Sequence, residues 1–364
     1  MRIAQVANFV GSTSGGLRRV VDQLGRGYTR AGHERLLIVP GAQDSVERSE
    51  SGAVVTIASP ATSGGYRMVV DLRKVFQVLN RFGPTSVEVS DKWTMTAAGV
   101  WAKRHGVGSV LLSHARLDDQ ASMFLDMEVS GQVHALNRRL AKIYDRVVVT
   151  THYSAGEWLS TAAELVVQPL GVDLDVFTPG DGPRDGGSRL RLIYSGRLSR
   201  DKSSQLAVAT AVELDHRGQD VQLDVFGSGP ALDELRTMAG DAPVFFHGHI
   251  DSRQSLADAY RASDIALSAC PVETFGLTVL EALACGTPVV TANRGGAREL
   301  VDASCAEWDF PDPVFLAEAV RRLARRIRRD RAGLRQAARS RAEAYPWADA
   351  VAGMVRVHEA VSTR

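Results

Sequence analysis

Between Ser268 and Ala292 the chain reads SACPVETFGLTVLEALACGTPVVTA, a stretch that places two carboxylates, Glu273 and Glu281, eight positions apart. The pattern predicts a strand ending near Ser268, a loop carrying Glu273, and a short helix opened by Gly276 and Thr278 that bears Glu281 and stops at Gly286. Pro288 cannot continue a helix, so Val289 and Val290 read as the next strand. One acid is then in the loop and the other a helical turn further on, so that the two can face two ends of one elongated ligand. The amides of Phe275, Gly276, Leu277 and Thr278 fall where a helix N-terminus leaves donors unpaired and its dipole adds positive charge. Such a place suits a phosphate. A carboxylate just before it accepts hydrogen bonds from sugar hydroxyls, and one a turn later can do the same for a ribose. Standing alone, the same two residues would read as a loop acid and a solvated helix residue.

They do not stand alone. Glu273-x7-Glu281, the following Ala284-Cys285-Gly286-Thr287-Pro288-Val289-Val290 and the upstream Gly196-Arg197-Leu198-x3-Lys202 together resemble the retaining family-four glycosyltransferases of GT-B fold. The resemblance covers nearly the whole chain. It is closest to the actinobacterial phosphatidylinositol-mannoside α-mannosyltransferases, through Gln5-Val6-Ala7-Asn8-Phe9, Ser14-Gly15-Gly16-Leu17-Arg18 and Ser113-His114-x-Arg116-Leu117-Asp118. It implies an α/β chain of two Rossmann-like, doubly wound parallel-sheet domains facing a central cleft. It further implies a hexosyltransferase that moves α-mannose from GDP-mannose to a lipid or glycolipid acceptor with retention. In that family a histidine at the strand end lies by the donor sugar and the reacting carbon, and this role is carried onto His114. Relatives that use GDP-mannose often bear an acid after the position of Asp251, where this chain has Ser252; Ile250 and Asp251 remain base-contacting candidates by position. Two other readings fit the same motifs: transfer of another sugar onto a specialised metabolite or other small molecule, and a catalytically idle nucleotide-binding regulator.

A nucleotide-diphosphate sugar leaves as a diphosphate, so its departing oxygen needs positive charge. Arg197 offers a planar fork and Lys202 a mobile point charge beside a glycine-containing turn. With the amides of Gly15 or Gly16 and of the Glu273 loop they can balance that charge without a metal or other cofactor. A retaining glycosidase would need a nucleophilic carboxylate paired with an acid/base carboxylate, and no such pair can be named here. The family's commonly proposed alternative is a front-side displacement in which the leaving phosphate takes the acceptor proton. Asp173-Leu174-Asp175 matches the D-x-D of metal-dependent enzymes of another fold, but it belongs to a Gly-Val-Asp-x3-Phe-x-Pro turn that resembles the family's interdomain segment. Gly227-Ser228-Gly229-Pro230 reads as a tight connection into a helix begun at Pro230. No G-x-G-x-x-G follows the first strand, which disfavours a dinucleotide-dependent oxidoreductase.

The elements that must position these residues alternate. Strands are expected near 1–8, 35–39, 54–58, 86–89, 109–113, 146–150 and 165–168, with helices at 17–31, 68–82, 93–103 and 154–161. A second series has strands at 190–195, 221–226, 244–246 and 264–268 and helices at 204–215, 231–238 and 254–260. The domains are then 1–170 for the acceptor, 171–188 as linker, 189–345 for the nucleotide sugar, and 346–364 as a helix returning to the first domain. The loops over 61–67 and 115–138 would choose the acceptor.

The bulk properties agree: 364 residues suit two domains, and 45% hydrophobic with 23% charged residues is ordinary for a globular chain. A net charge of +1 gives no support to nucleic-acid binding. Cys270, Cys285 and Cys305 form no C-x-x-C and fit a reducing cytoplasm. The N-terminal apolar run is too short for a signal peptide, and no run reaches the length of a membrane-spanning helix. The arginines from Arg321 to Arg341 read as a solvated helical face, with peripheral contact at the inner face of the membrane as the minor alternative. Oligomeric state is not readable.

Overall fold

The computed structural model describes residues 1–8, 15–62, 66–119, 130–180 and 189–362. Parts of the first glycine loop, of the two loops expected to choose the acceptor and of the expected linker, namely 9–14, 63–65, 120–129 and 181–188, lie outside the described residues. The chain divides into two compact units, one from the described residues of 1–170 together with 347–362, the other from 171–346.

The first unit is built on β1 (Arg2–Val6), β2 (Glu34–Gly41), β3 (Ser45–Ser49), β4 (Gly52–Ala58), β5 (Ser86–Val89), β6 (Gly108–Ser113), β7 (Arg146–Val149) and β8 (Leu165–Val167), in the order β3-β4-β2-β1-β5-β6-β7-β8. Strands β5 and β6 are buried at every position, as in a parallel sheet covered on both faces; β6 carries the apolar run Val110-Leu111-Leu112, whereas β5 alternates and buries Ser86 and Glu88. The antiparallel strand β3 was not expected: its SVERS is exposed at all five positions and carries no apolar alternation. The helix expected over 68–82 begins at Leu72, where the Asp71 carboxylate accepts from the Arg73 amide at 3.2 Å. That expected at 154–161 is a short helix His152–Ala155 followed by a 3-10 turn Gly156–Trp158.

The last helix, Trp347–Ser362, packs on the first unit. A Cβ on Gly27 would lie 2.2 Å from Val351 Cγ2, and one on Gly353 would lie 1.7 Å from Gln168 Oε1, so two glycines admit the helix at close range. Its buried His358 places Nε2 3.0 Å from Glu88 Oε2 and Nδ1 2.8 Å from Ser86 Oγ. Tyr28 and Gln5 donate to the same carboxylate, at 2.7 and 2.8 Å.

The second unit contains β9 (Leu190–Ser195), β10 (Val221–Phe226), β11 (Val244–Gly248), β12 (Ile265–Ser268), β13 (Val289–Ala292) and β14 (Ala306–Asp309), all parallel, in the order β11-β10-β9-β12-β13-β14. The order reverses between β9 and β12. In such sheets ligands bind beyond the carboxyl ends of the strands at this switch point. The helix expected from Pro230 starts at Leu232 with Ala231 as its cap.

The arginine-rich stretch is not a plain solvated face. It forms two helices, Pro313–Arg329 and Arg331–Glu343, separated by Asp330, whose side chain accepts from the Gly333 amide. Arg322 pairs with Glu307 and Asp309, Arg326 with Glu307, and Arg331 with Asp264. Arg339 Nη1 donates to the carbonyls of Phe177 and Ala284, at 2.8 and 3.1 Å. These side chains fasten the helices to the sheet and to the turn after Gly171. Among the described residues no helix is long and apolar enough to cross a membrane.

Candidate functional site

At the carboxyl end of β9 the backbone from Gly196 to Leu198 lies flat on the turn after β10. The Gly196 amide donates to Phe226 O and the Leu198 amide to Ser228 O, both at 3.0 Å. A Cβ on Gly227 would stand 1.9 Å from Gly196 O, and one on Gly229 would stand 2.3 Å from Leu198 O. The glycines of that turn therefore serve close backbone approach, as expected, and their effect is to hold Arg197 outward and exposed. Tyr194 Oη donates to Arg197 O at 3.1 Å and braces the loop from below.

A 3-10 turn, Arg200–Lys202, follows and ends in Ser203, whose φ of +48° is left-handed. Such a conformation costs a non-glycine residue energy that its surroundings must supply. It fixes the exit of Lys202 before the helix Ser204–His216 begins.

The second half of the site follows β12. The Cys270 thiol donates to Asp201 O at 3.2 Å, tying this loop to the first. Lys202 Nζ and Glu273 Oε2 are 2.8 Å apart. Burial works to raise the Glu273 pKa, but the Lys202 ammonium and the amides of Phe275 and Thr274 hold it below the usual carboxylate range. For Lys202, burial acts downward and the Glu273 carboxylate outweighs it, so the amine stays protonated well above its ordinary range. Burial and the Glu273 charge push the Cys270 thiol up to about 11, which leaves it an inert spacer.

Gly276, at φ +104°, caps the helix Leu277–Ala284, and a Cβ there would lie 3.2 Å from Ala297 Cβ. The helix N-terminus thus begins one residue after Phe275, and Phe275 gives its amide to Glu273 rather than to the open end. Glu281 is 2% exposed, buried with Val279, Leu280, Ala282 and Leu283, which removes the reading of a solvated helix acid.

A feature not anticipated from the sequence backs this loop. The Gly296 amide donates to Glu273 O at 2.6 Å, and a Cβ on Gly296 would lie 2.2 Å from Thr274 O. Gly295, at φ +92°, makes the turn from β13 that brings it there. The available signal was a pair of glycines between an apolar strand and a short helix, the same pattern that marked Gly15 and Gly16.

Ile250 and Asp251 follow β11, two strands across from β9. Asp251 is exposed and its carboxylate lies 3.4 Å from His249 Nε2. Ser252 is occupied: its hydroxyl accepts from the Ser255 amide at 3.1 Å and caps the helix Arg253–Arg261. Asp173 is also engaged, pairing with Arg253 at 2.8 Å and accepting from the amides of Asp175 and Val176.

The first unit holds the remaining candidates. Gly15 and Gly16 open the helix Gly16–Arg30, and a Cβ on either would meet nothing within 4 Å among the described residues. His114 follows β6, half-buried, with Nδ1 3.4 Å from Leu112 O. Two residues on, Arg116 forms a bidentate pair with Asp118, at 3.0 and 2.8 Å, and lies over the Tyr153 ring.

Known proteins resemble this chain in sequence and in fold. Residues 189–326 match the glycosyl transferases group 1 family and residues 15–171 the glycosyl transferase 4-like domain. The chain is 38% identical to a GDP-mannose-dependent alpha-(1-6)-phosphatidylinositol dimannoside mannosyltransferase of Mycobacterium tuberculosis (strain ATCC 25177 / H37Ra), covering 100% of this chain and 98% of that protein. A D-inositol 3-phosphate glycosyltransferase of Xylanimonas cellulosilytica is 34% identical over 54% of this chain and 52% of its own length. Among solved structures, sucrose-phosphate synthase from Thermosynechococcus elongatus superposes with a TM-score of 0.78 at 22% identity, covering 99% of each chain. Anabaena HepE in complex with UDP-glucose superposes with a TM-score of 0.75 at 16% identity, covering 100% of each.

Proposed function

The chain belongs to the group 1 glycosyltransferases of GT-B fold, and on that premise we propose that it transfers α-mannose from GDP-mannose to a phosphatidylinositol mannoside or closely related glycolipid. The observation that carries this reading is the Lys202–Glu273 pair at the switch point of the second sheet, beside the helix that Gly276 opens. It joins the cation that a diphosphate needs to the acceptor-only group that sugar hydroxyls need. In the family role carried onto them, Arg197 and Lys202 stabilise the departing diphosphate. Glu273 holds the sugar, Glu281 the ribose, and the amides from Gly276 to Thr278 a phosphate; Gly15 and Gly16 are likewise assigned to the diphosphate.

His114 is assigned to the reacting carbon. The reaction retains configuration by front-side displacement, the leaving phosphate taking the acceptor proton. It needs no metal, a reading supported by the engagement of Asp173 with Arg253 and with its own turn, which leaves the D-x-D match a structural element. The protein works in the cytoplasm, at the inner face of the membrane where a glycolipid acceptor is presented.

One observation favours a second reading of the donor base. Where GDP-using relatives often carry an acid, Ser252 spends its hydroxyl on a helix cap, so a nucleoside other than guanosine is the competing donor base.

The test is transfer by the purified protein. Given GDP-mannose and phosphatidylinositol dimannoside in excess EDTA, it should form a product with one further mannose, α-configured by NMR. Transfer from UDP-sugars alone would install the second reading. Complete loss with EDTA, restored by magnesium or manganese, would overturn metal independence, and a β-linked product would overturn retention.

A further inference from the structure

At the carboxyl end of β5 the sequence Asp91-Lys92-Trp93 is partitioned in reverse. Asp91 and Lys92 are 4% and 7% exposed, and Trp93 is 56% exposed. Charged side chains are almost never buried unless paired, while a lone exposed aromatic is unremarkable in itself. What calls for a cause is the cost of burying two charges to hold an indole in the open.

Asp91 fixes the Trp93 backbone directly, and Lys92 is the anchored residue before it. Asp91 Oδ1 accepts from the Trp93 amide at 2.7 Å, and Oδ2 accepts from the Asn8 amide at 3.1 Å, at the end of β1. Lys92 forms a buried ion pair with Glu157 and lies 4.8 Å over the Trp158 ring. The other Glu157 oxygen accepts from the Leu117 amide at 2.7 Å, three residues beyond His114. Thr96 Oγ1 donates to Trp93 O at 2.6 Å. Replacing a buried pair with apolar residues is often neutral or stabilising, so stability alone does not account for this arrangement. It does account for a side chain that has to be held in one place.

Trp93 stands between the ends of β1 and β6, at the ligand-binding edge of a parallel sheet. An indole offers a broad apolar face and one N–H donor. That combination suits a pyranose or cyclitol, which presents a face of C–H bonds ringed by hydroxyls. It does not suit a diphosphate, whose cation and amides gather in the second unit at Lys202 and Gly276.

We propose that Trp93 is the stacking platform for a pyranose or cyclitol ring of the acceptor and so contributes to acceptor specificity. This rests on the reading of the chain as a transferase to a glycolipid.

The experiment compares the full-length wild type with Trp93→Ala and Trp93→Phe. The alanine variant should raise the acceptor KM by ~10-fold, with the GDP-mannose KM and kcat at saturating acceptor little changed. Trp93→Phe should restore most of the loss, and acceptor titration should quench tryptophan emission in the wild type but not in Trp93→Phe. An unchanged acceptor KM in Trp93→Ala, or an equal rise in the donor KM, overturns the platform while wild-type transfer upholds the glycolipid reading. A wild type that hydrolyses GDP-mannose yet transfers to no glycolipid overturns that reading, and the platform with it.

Discussion

Lys202 and Glu273 hold each other at 2.8 Å, although they are assigned to different parts of one donor. The assignments are compatible because an ammonium has three donors and can bridge the carboxylate and a phosphate oxygen. The pair also sets its own pH range. Glu273 titrates below the usual carboxylate range, so its contribution is complete above that range and is lost as pH falls through the depressed value. Lys202→Ala and Arg197→Ala should each slow turnover by on the order of a hundredfold, the scale of losing one charge-stabilising group, with near-native melting in Arg197→Ala and a lower melting point in Lys202→Ala, which leaves Glu273 short of its partner. Wild-type turnover in either variant would remove that residue from the diphosphate site. The two acids should separate by ligand in calorimetric titrations. Glu273→Ala should weaken GDP-mannose while leaving GDP unaffected or slightly tighter, since Lys202 is released. Glu281→Ala should weaken both, by around 1.5 to 3 kcal/mol for a charged hydrogen bond. Equal losses for both ligands in Glu273→Ala would mean that its carboxylate does not read the sugar.

At the scale of elements, glycines decide how close two loops can lie. Gly276→Ala forces a side chain into φ +104°, at a cost of roughly 1–2 kcal/mol. Gly296→Ala should do more to function, because its Cβ would lie 2.2 Å from Thr274 O and must displace the loop that carries Glu273. We expect the donor KM to rise in both variants and more in Gly296→Ala; a native donor KM there would show that the Glu273 loop is positioned independently of Gly295 and Gly296. The same comparison shows why some elements were legible and others were not. β6 and β12 announce themselves through Val110-Leu111-Leu112 and Ile265-Ala266-Leu267, because burial on both faces demands apolar runs, and Gly276 because a helix starts beside it. β3 has no core face to encode, and although the Gly295-Gly296 pair is visible in sequence, the loop it touches lies some twenty residues earlier and is not. The arginines misled for a related reason. The partners of Arg322 and Arg331, on β14 and at Asp264, are reached only after folding, so in sequence their charges look unopposed.

At the scale of the whole molecule, the chain ends by completing the unit with which it began. Helix Trp347–Ser362 meets the helix Gly16–Arg30 at Gly27, and His358 stacks edge-on against Tyr28 with ring centroids 5.3 Å apart. Its Nε2 meets Glu88 at the centre of the first sheet, where burial works to raise the carboxylate pKa and His358, Tyr28 and Gln5 together hold it below the usual range. Removing His358 takes away one of these three donors to a buried carboxylate, a loss of about 1.5–3 kcal/mol for a hydrogen bond to a charged group. His358→Ala should therefore loosen a defined part of the chain. In native-state hydrogen exchange, protection should fall in β1, β5 and the helix Gly16–Arg30, whose side chains surround Glu88. Protection in β9, β10 and β12 should stay at the wild-type level, because Ser86, Glu88 and Tyr28, the groups His358 meets, belong to the first unit. His358→Gln, which keeps a donor for Glu88, should recover part of the loss. A uniform fall across both sheets would contradict the assignment of the last helix to the first unit. Unchanged protection at β5 would mean that the buried pair contributes nothing to holding the helix in place.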